Sequence, residues 1–195
     1  MPKRLENVGL VELNEAYNKV LSWFFSFPET EAGLNDLAEY LKISKTTAKK
    51  IVERMVEEEF LIKKVYGKAW RIACNRSHPY NYTKKIAFNL SMVFEAYNKS
   101  LKNQIQEIVG IANAIVLFGS YRKGDDTEKS DVDIAVEVNS DKDVRIIEMG
   151  RMPRFGYRKD VPVNLHIFTR NKIDINLFSN IANGIVLEGF LEVRP

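Results

Sequence analysis

Asp131 and Asp133 stand two residues apart in the run SDVDIAVEV, interleaved with Val132, Ile134 and Val136. Alternation of this kind reads as a half-buried β-strand, with an apolar face and an acidic one. Aspartate is depleted in strands, and two unpaired carboxylates beside a core are costly. Residues i and i+2 share a face with α-carbons about 6.5–7 Å apart, so both carboxylates can converge on one hard cation or a pair. Magnesium prefers oxygen ligands and usually combines one or two carboxylates with substrate phosphates. Two metal ions about 3.5–4 Å apart can clamp the attacking and leaving oxygens of a phosphoryl-group transfer. Upstream, the apolar run IANAIVLF, 111–118, reads as a buried strand ending in Gly119-Ser120. A glycine there lets backbone approach a ligand. A helix starting at Ser120 would aim free N–H groups at an anion, and the hydroxyl adds a donor.

The full pattern is Gly119-Ser120, ten residues that include Arg122, Gly124 and Ser130, then Asp131-Val132-Asp133 and Ile134-Ala135-Val136. It closely resembles the signature of the DNA polymerase β-like nucleotidyltransferase superfamily. The segment FGSYRKGDDTEKSDVDIAVEV resembles that superfamily's small prokaryotic branch, the minimal nucleotidyltransferases, and the similarity covers about 109–195. The resemblance implies an α/β (α+β) domain, a mixed sheet with flanking helices. Gly119, Ser120 and Arg122 would hold the phosphates of a nucleoside triphosphate, and Asp131 and Asp133 would bind magnesium or manganese. The implied reaction moves a nucleoside monophosphate to an acceptor, commonly a hydroxyl, and releases pyrophosphate. Relatives often occur with toxin-like helical partners, so a protein acceptor or such a partner is also implied.

One position departs from that pattern. The superfamily usually has a third carboxylate on a later strand, here VPVNLHIFT, 161–169, and it aligns with Asn164. An Asn offers a neutral oxygen to a metal but cannot act as a base. His166, on the same face, is a candidate substitute base, although imidazole suits magnesium poorly; a core or surface histidine is the plainer account. Glu137 and Asp160 are other possible substitutes. Loss of a general base typically costs about 10²–10⁴-fold in rate. Two readings therefore stay open, a transferase and a degenerate site that senses nucleotide. The basic stretch RIIEMGRMPRFGYRKD, 145–160, would meet triphosphate or an acidic acceptor, or else be a solvated connection.

These groups need elements to hold them. From Lys84 to about Ile108, apolar residues at Ile86, Leu90, Val93, Phe94, Tyr97, Leu101, Ile105 and Ile108 predict a long connecting helix, also a candidate homodimer interface. Residues 141–150 and 171–184 read as helical or mixed, and RSHPYNY, 76–82, as a punctuated linker. Further upstream, Leu10 to Phe24 has helical spacing, ended by Pro28. Leu34, Leu37, Ala38 and Leu41 make a short amphipathic helix, and Ala48, Ile51, Val52 and Met55 a second, with Ser44 as its N-cap. LIKKVYGKAWRIACN reads as a hairpin about Gly67. Residues 10–75 resemble the winged helix-turn-helix domains of prokaryotic transcription regulators. Such domains place the second helix of the motif in the major groove. The DNA-facing residues would be Lys45, Thr46, Thr47, Lys49 and Lys50 on that helix, with Lys63, Lys64 and Lys68 on the wing. Residues 41–75 hold nine basic and four acidic residues, an excess larger than the +3 of the whole chain. A solvated helix face or a protein-contact module remains the alternative. The expected order is thus 1–75 winged helix, 76–108 linker and connecting helix, and 109–195 nucleotidyltransferase-like domain.

A hydrophobic content of 45% in 195 residues supports one large or two small globular domains rather than a disordered chain. With one cysteine, Cys74, no intrachain disulfide is possible, and a cytoplasmic setting is the simplest expectation. Cys74 itself reads as a small buried apolar residue. The opening MPKRLENVGL has charge but no apolar run, so no signal peptide is expected. VLSWFFSF, 20–27, is far below the roughly 20 residues of a membrane span, so no membrane partner is expected.

Overall fold

The computed structural model describes residues 15–140 and 143–193. Leu10 and Leu13, expected to open the first helix, lie outside the described residues. The chain runs α1 (Glu15–Ser26), β1 (Ala32–Gly33), α2 (Leu34–Tyr40), α3 (Lys45–Glu57), β2 (Leu61–Tyr66) and β3 (Ala69–Cys74). The three strands form an antiparallel sheet in the order β1-β3-β2. Ser44 caps α3 as expected, accepting a 3.0 Å bond from the Thr47 amide. One core unites this part, from Tyr17, Phe24 and Phe25 on α1 through Leu37, Val52 and Met55 to Phe60 and Ile72.

RSHPYNY is not a loose linker. Pro79–Tyr82 is a 3-10 turn, Asn81 is buried, and the Tyr80 and His78 rings pack against Phe60. The chain then enters α4 (Lys84–Ala96), a π-helical turn (Tyr97–Leu101) and α5 (Lys102–Val109). Val93, Tyr97, Leu101 and Ile105 are buried as expected, but at the start of the helix Lys85 and Asn89 are buried and Ile86 and Leu90 only partly. The buried face is a row of every fourth residue: Lys85, Asn89, Val93, Tyr97, Leu101 and Ile105. A four-residue spacing overshoots the 3.6-residue turn by about 40° a step, and a wider π turn takes back part of that drift. Phe88 on α4 touches Phe25 on one side and Phe155 on the other, so this helix packs on both cores.

The remainder is β4 (Ala114–Phe118), α6 (Gly119–Lys123), β5 (Val132–Glu137), β6 (Arg145–Phe155), β7 (Arg158–Phe168), α7 (Ile175–Ala182) and β8 (Ile185–Gly189). Five strands form a mixed sheet in the order β6-β7-β5-β4-β8, parallel only between β5 and β7. One expectation is corrected and one strand is new. The span 141–150 is not helical where described: Arg145 opens an 11-residue strand hairpinned to β7. Ile185–Gly189 is an unexpected edge strand. Val132, Ile134 and Val136 face the α4–α5 side with Leu165 and Val163. The opposite face carries Asp131, Asp133 and Ala135, and its lower part is covered by α7 through Ile181, Leu177 and Phe178.

Candidate active site

The site forms where β4 ends and β5 and β7 run side by side. Phe118 pairs with Asp133 across the β4–β5 ladder, so Gly119 begins its turn directly beside that carboxylate. Gly119 has φ +73, and a β-carbon there would come within 2.5 Å of Asp133 Oδ2. Only glycine fits this position, because it tolerates positive φ and leaves room for the acid. Ser120, half-buried, follows in the one-and-a-half-turn α6, and Gly124 ends it in the left-handed region at φ +79. Arg122 is half-buried, with its Nε enclosed and lacking a hydrogen-bond partner.

The parallel register sets Asp133 opposite Asn164 and Ala135 opposite His166. Asn164 Nδ2 donates to Asp131 Oδ2, and His166 Nε2 lies 3.0 Å from Asp133 Oδ1. Each carboxylate therefore has one neighbour from β7. The His166 ring also meets Phe118 edge-on at 4.8 Å, and its Nδ1 is enclosed without a partner. So Gly119, Ser120, Asp131, Asp133, Asn164 and His166 converge in one place. Among the described residues, no group of three or more His, Cys, Asp or Glu side chains gathers into a metal cluster. The donor set is two half-buried carboxylates and an amide oxygen beside the glycine turn. It fits a magnesium ion that arrives with phosphate oxygens completing its shell.

The other suggested acids are elsewhere. Glu137 is buried at the far end of β5, gripped by Arg170 at 2.9 and 3.1 Å. Asp160 is exposed, sits at φ +52, and contributes its carbonyl to Arg151. Of the basic stretch 145–160, Arg145, Arg151, Arg154 and Lys159 are exposed, but Arg158 is not a solvated side chain. It is buried, donates to the Tyr121 hydroxyl, and reaches the Ser130 carbonyl at 2.6 Å.

Three groups behind the site were not anticipated. Lys85 and Asp126 form a buried ion pair at 3.3 Å, and Asn89 donates to Asp126 Oδ1 at 2.7 Å. Burial pushes the Asp126 carboxyl up and the Lys85 ammonium down, while their mutual attraction opposes both shifts. The signal was present in the sequence: Lys85 and Asn89 continue the four-residue row that buries Val93 and Tyr97.

Residues 99–183 match the model of the nucleotidyltransferase domain family. The match covers less than half of the chain and contains every convergent residue above. It starts inside the π turn and stops before β8. The matched stretch carries the glycine turn, the acidic strand and four of the five strands of the mixed sheet. A search of the curated proteins finds no match to the chain.

The second group of predicted residues lies on the N-terminal part. Lys45, Thr46, Lys49, Lys50, Lys64 and Lys68 are exposed. Thr47 is half-buried, its hydroxyl 2.7 Å from that of Ser44, so the cap occupies it. Lys63 lies over the Trp70 ring at 4.1 Å, and Lys49 approaches the same ring at 5.9 Å. A cleft of about 220 Å³ bordered by Asn35, Lys45, Lys68, Trp70 and Arg71 brings the start of α3 beside the hairpin. Cys74 is buried, and burial pushes its thiol up to about 11. No helix of the described residues is long and apolar enough to cross a membrane.

Proposed function

We propose that the chain transfers a nucleoside monophosphate from a nucleoside triphosphate to an acceptor hydroxyl, with magnesium (or manganese) held by Asp131 and Asp133. The observation that carries this reading is the fit of Gly119 against Asp133, which puts a backbone turn free of side chain directly beside that carboxylate. The turn and Ser120 hold phosphate oxygens, with Arg122 as a further donor, and Asn164 orients Asp131. The metal, when bound, neutralises charge that builds on the phosphates. The acceptor oxygen forms a bond to the α-phosphorus, and the bond from that phosphorus to the bridging oxygen breaks. Pyrophosphate leaves with the electron pair. Asn164 cannot take the hydroxyl proton, so the proton passes to His166 or to solvent. Turnover about 10²–10⁴-fold below that of a site with a carboxylate base is expected.

The N-terminal part is proposed to be a winged helix-turn-helix that contacts DNA. Support comes from the order α1-β1-α2-α3-β2-β3, with the Ser44-capped α3 as recognition helix and β2–β3 as wing. Lys45 at the start of α3 and Lys68 on the hairpin border one cleft, and exposed lysines there suit phosphate neutralisation. On this reading the protein is intracellular and couples a DNA contact to nucleotide chemistry.

A second reading is favoured by the bonds at Asn164 and His166. Both acids already have partners, as suits a degenerate site that binds nucleotide without turnover, or a surface that masks a toxin-like partner. Incubation with α-labelled triphosphates, magnesium and extract separates the readings. Label on an acceptor, lost in Asp131→Asn/Asp133→Asn, supports the transferase. Nucleotide binding with no label supports the sensor, and label that persists in the double variant sinks the assigned site.

A further inference from the structure

The loop between Gly124 and Asp131 joins the glycine turn to the acidic strand, yet little of its support is its own. Within it, the Ser130 amide bonds the Thr127 carbonyl at 3.2 Å, and the Thr127 amide bonds the Ser130 hydroxyl at 2.9 Å. Most of its other contacts come from outside the loop. Lys85 Nζ donates to the Asp126 carbonyl at 2.6 Å as well as pairing with its carboxylate. Asn89 joins the Asp126 carboxylate to the Tyr121 carbonyl, which it reaches at 3.0 Å, one residue past Ser120. Arg158 holds the Ser130 carbonyl, one residue before Asp131. Gly124 lies directly against the Asn81 carbonyl, leaving no room for a side chain.

Two contacts extend this support to the N-terminal part. Glu128 Oε1 accepts bonds from the Glu29 amide and the Thr30 hydroxyl, both at 3.0 Å, in the corner between α1 and β1. The β6–β7 turn docks on the same part: the Tyr157 amide donates to Ser26 Oγ at 3.1 Å, and the Tyr157 and Tyr40 rings lie 5.8 Å apart. Arg158, the next residue, bonds Ser130. Both routes end on the loop that precedes Asp131. A buried ion pair such as Lys85–Asp126 is a poor source of net stability, since a well-packed apolar pair of similar volume often does as well. Its hydrogen bonds instead fix one loop position.

We propose that Glu128, Lys85 and Asn89 are positioning residues. Lys85 and Asn89 hold the loop on α4 and Glu128 straps it to the N-terminal part, so that docking of that part sets the affinity of the glycine turn and Asp131 for magnesium nucleotide. This rests on the nucleotide reading above. Linkage is reciprocal, so a ligand that displaces the N-terminal part weakens nucleotide binding, and nucleotide strengthens the docking.

The test uses the full chain with Glu128→Ala, a change at the surface that leaves the buried pair intact, and Glu95→Ala on α4 as control. Two quantities are measured: hydrogen exchange at the Gly124, Thr127, Lys129 and Ser130 amides without nucleotide, and affinity for ATP with magnesium. Allosteric couplings typically span about 5–150-fold, so Glu128→Ala should speed exchange and weaken binding by about fivefold or more. Glu95→Ala should change neither. Unchanged exchange in Glu128→Ala overturns the strap, and faster exchange with unchanged affinity overturns the positioning role. If the parent protein binds no nucleotide, the nucleotide reading and the positioning role fall together. The exchange result then still decides whether Glu128 ties the loop to the N-terminal part.

Discussion

Asn164→Asp places a carboxylate where an amide now donates to Asp131 Oδ2. Without metal, this removes a hydrogen bond to a charged group and brings two acids to about 3 Å of each other. At an effective dielectric constant near 20, two unit charges at that distance repel by about 5 kcal/mol. Both positions are half-buried, so rotation and solvent reduce this to a net loss of about 2–4 kcal/mol, the hydrogen bond included. A chain of this size melts about 2–4 °C lower per kcal/mol, so the variant should melt roughly 5–15 °C below the parent in EDTA at pH 7.5. The sign with pH follows. Crowding favours the protonated form of one acid in the folded state, so the penalty is present at neutral pH and fades as pH falls and that proton binds. Magnesium reverses the effect by binding only the folded site, and the variant should gain more from it than the parent. Thermal melts in EDTA and in magnesium, each at two pH values, measure all of this without any turnover. Labelling of an acceptor, where it occurs, should rise toward the 10²-fold range expected of a restored base. Equal melting of variant and parent in EDTA, or equal shifts on adding magnesium, would refute the assignment of residue 164 to a metal-facing position.

Gly119→Ala drives a β-carbon into Asp133 at a backbone angle that alanine disfavours, and should abolish magnesium-nucleotide binding in calorimetry; retained affinity would remove Gly119 from the site. Lys85→Met leaves Asp126 buried without its cation and should cost about 3–5 kcal/mol in denaturant unfolding. Adding Asp126→Asn should recover most of that loss, and a double variant no better than the single would argue against the pair. Cys74, held near 11 against an unperturbed 9.0, should have about a hundredfold less thiolate at pH 8 than a free thiol. Folded protein should resist iodoacetamide accordingly. Its contribution to stability is full below pH 9 and falls as pH rises toward 11, since only the unfolded thiol ionises readily there. If DNA binds at α3, Lys45→Ala/Lys50→Ala should lower the slope of log affinity against log salt by about 2. A slope unchanged in mobility shifts would move the contact off this helix.

The acidic strand was legible because Asp131 and Asp133 alternate with three buried aliphatics, and alternation is what a one-sided strand must show. The same rule explains the misreading of β6. Arg145, Glu148, Gly150, Arg151, Pro153 and Arg154 give an edge strand with little buried surface, and its order comes from pairing with β7, a partner that follows it in the chain. Charged residues and a proline are usual protection for such an edge, so they hide it from a search for apolar runs. Lys85 and Asn89 were passed over for the opposite reason. Polar side chains on a helix are assumed to face water, yet these two stand in line with Val93 and Tyr97 because Asp126 and the Tyr121 carbonyl wait for them inside.

Asn164 shows where residue types stop being informative. Its type says that residue 164 is not a base, and its position in VPVNLHIFT says that it faces the acids. Neither says whether it leaves Asp131 free or bonds it. That depends on the parallel register of β5 and β7, which pairs residue 133 with 164 across a crossover that includes all of β6. A shift of one residue would turn Asn164 and His166 into the core and Leu165 toward the carboxylates. Val163, Leu165 and Ile167 oppose that slip, since each is almost fully buried on the other face. The apolar residues of β7 thus decide which polar ones meet the acids. The chemistry at Asp131 depends on packing on the side of the sheet away from any ligand.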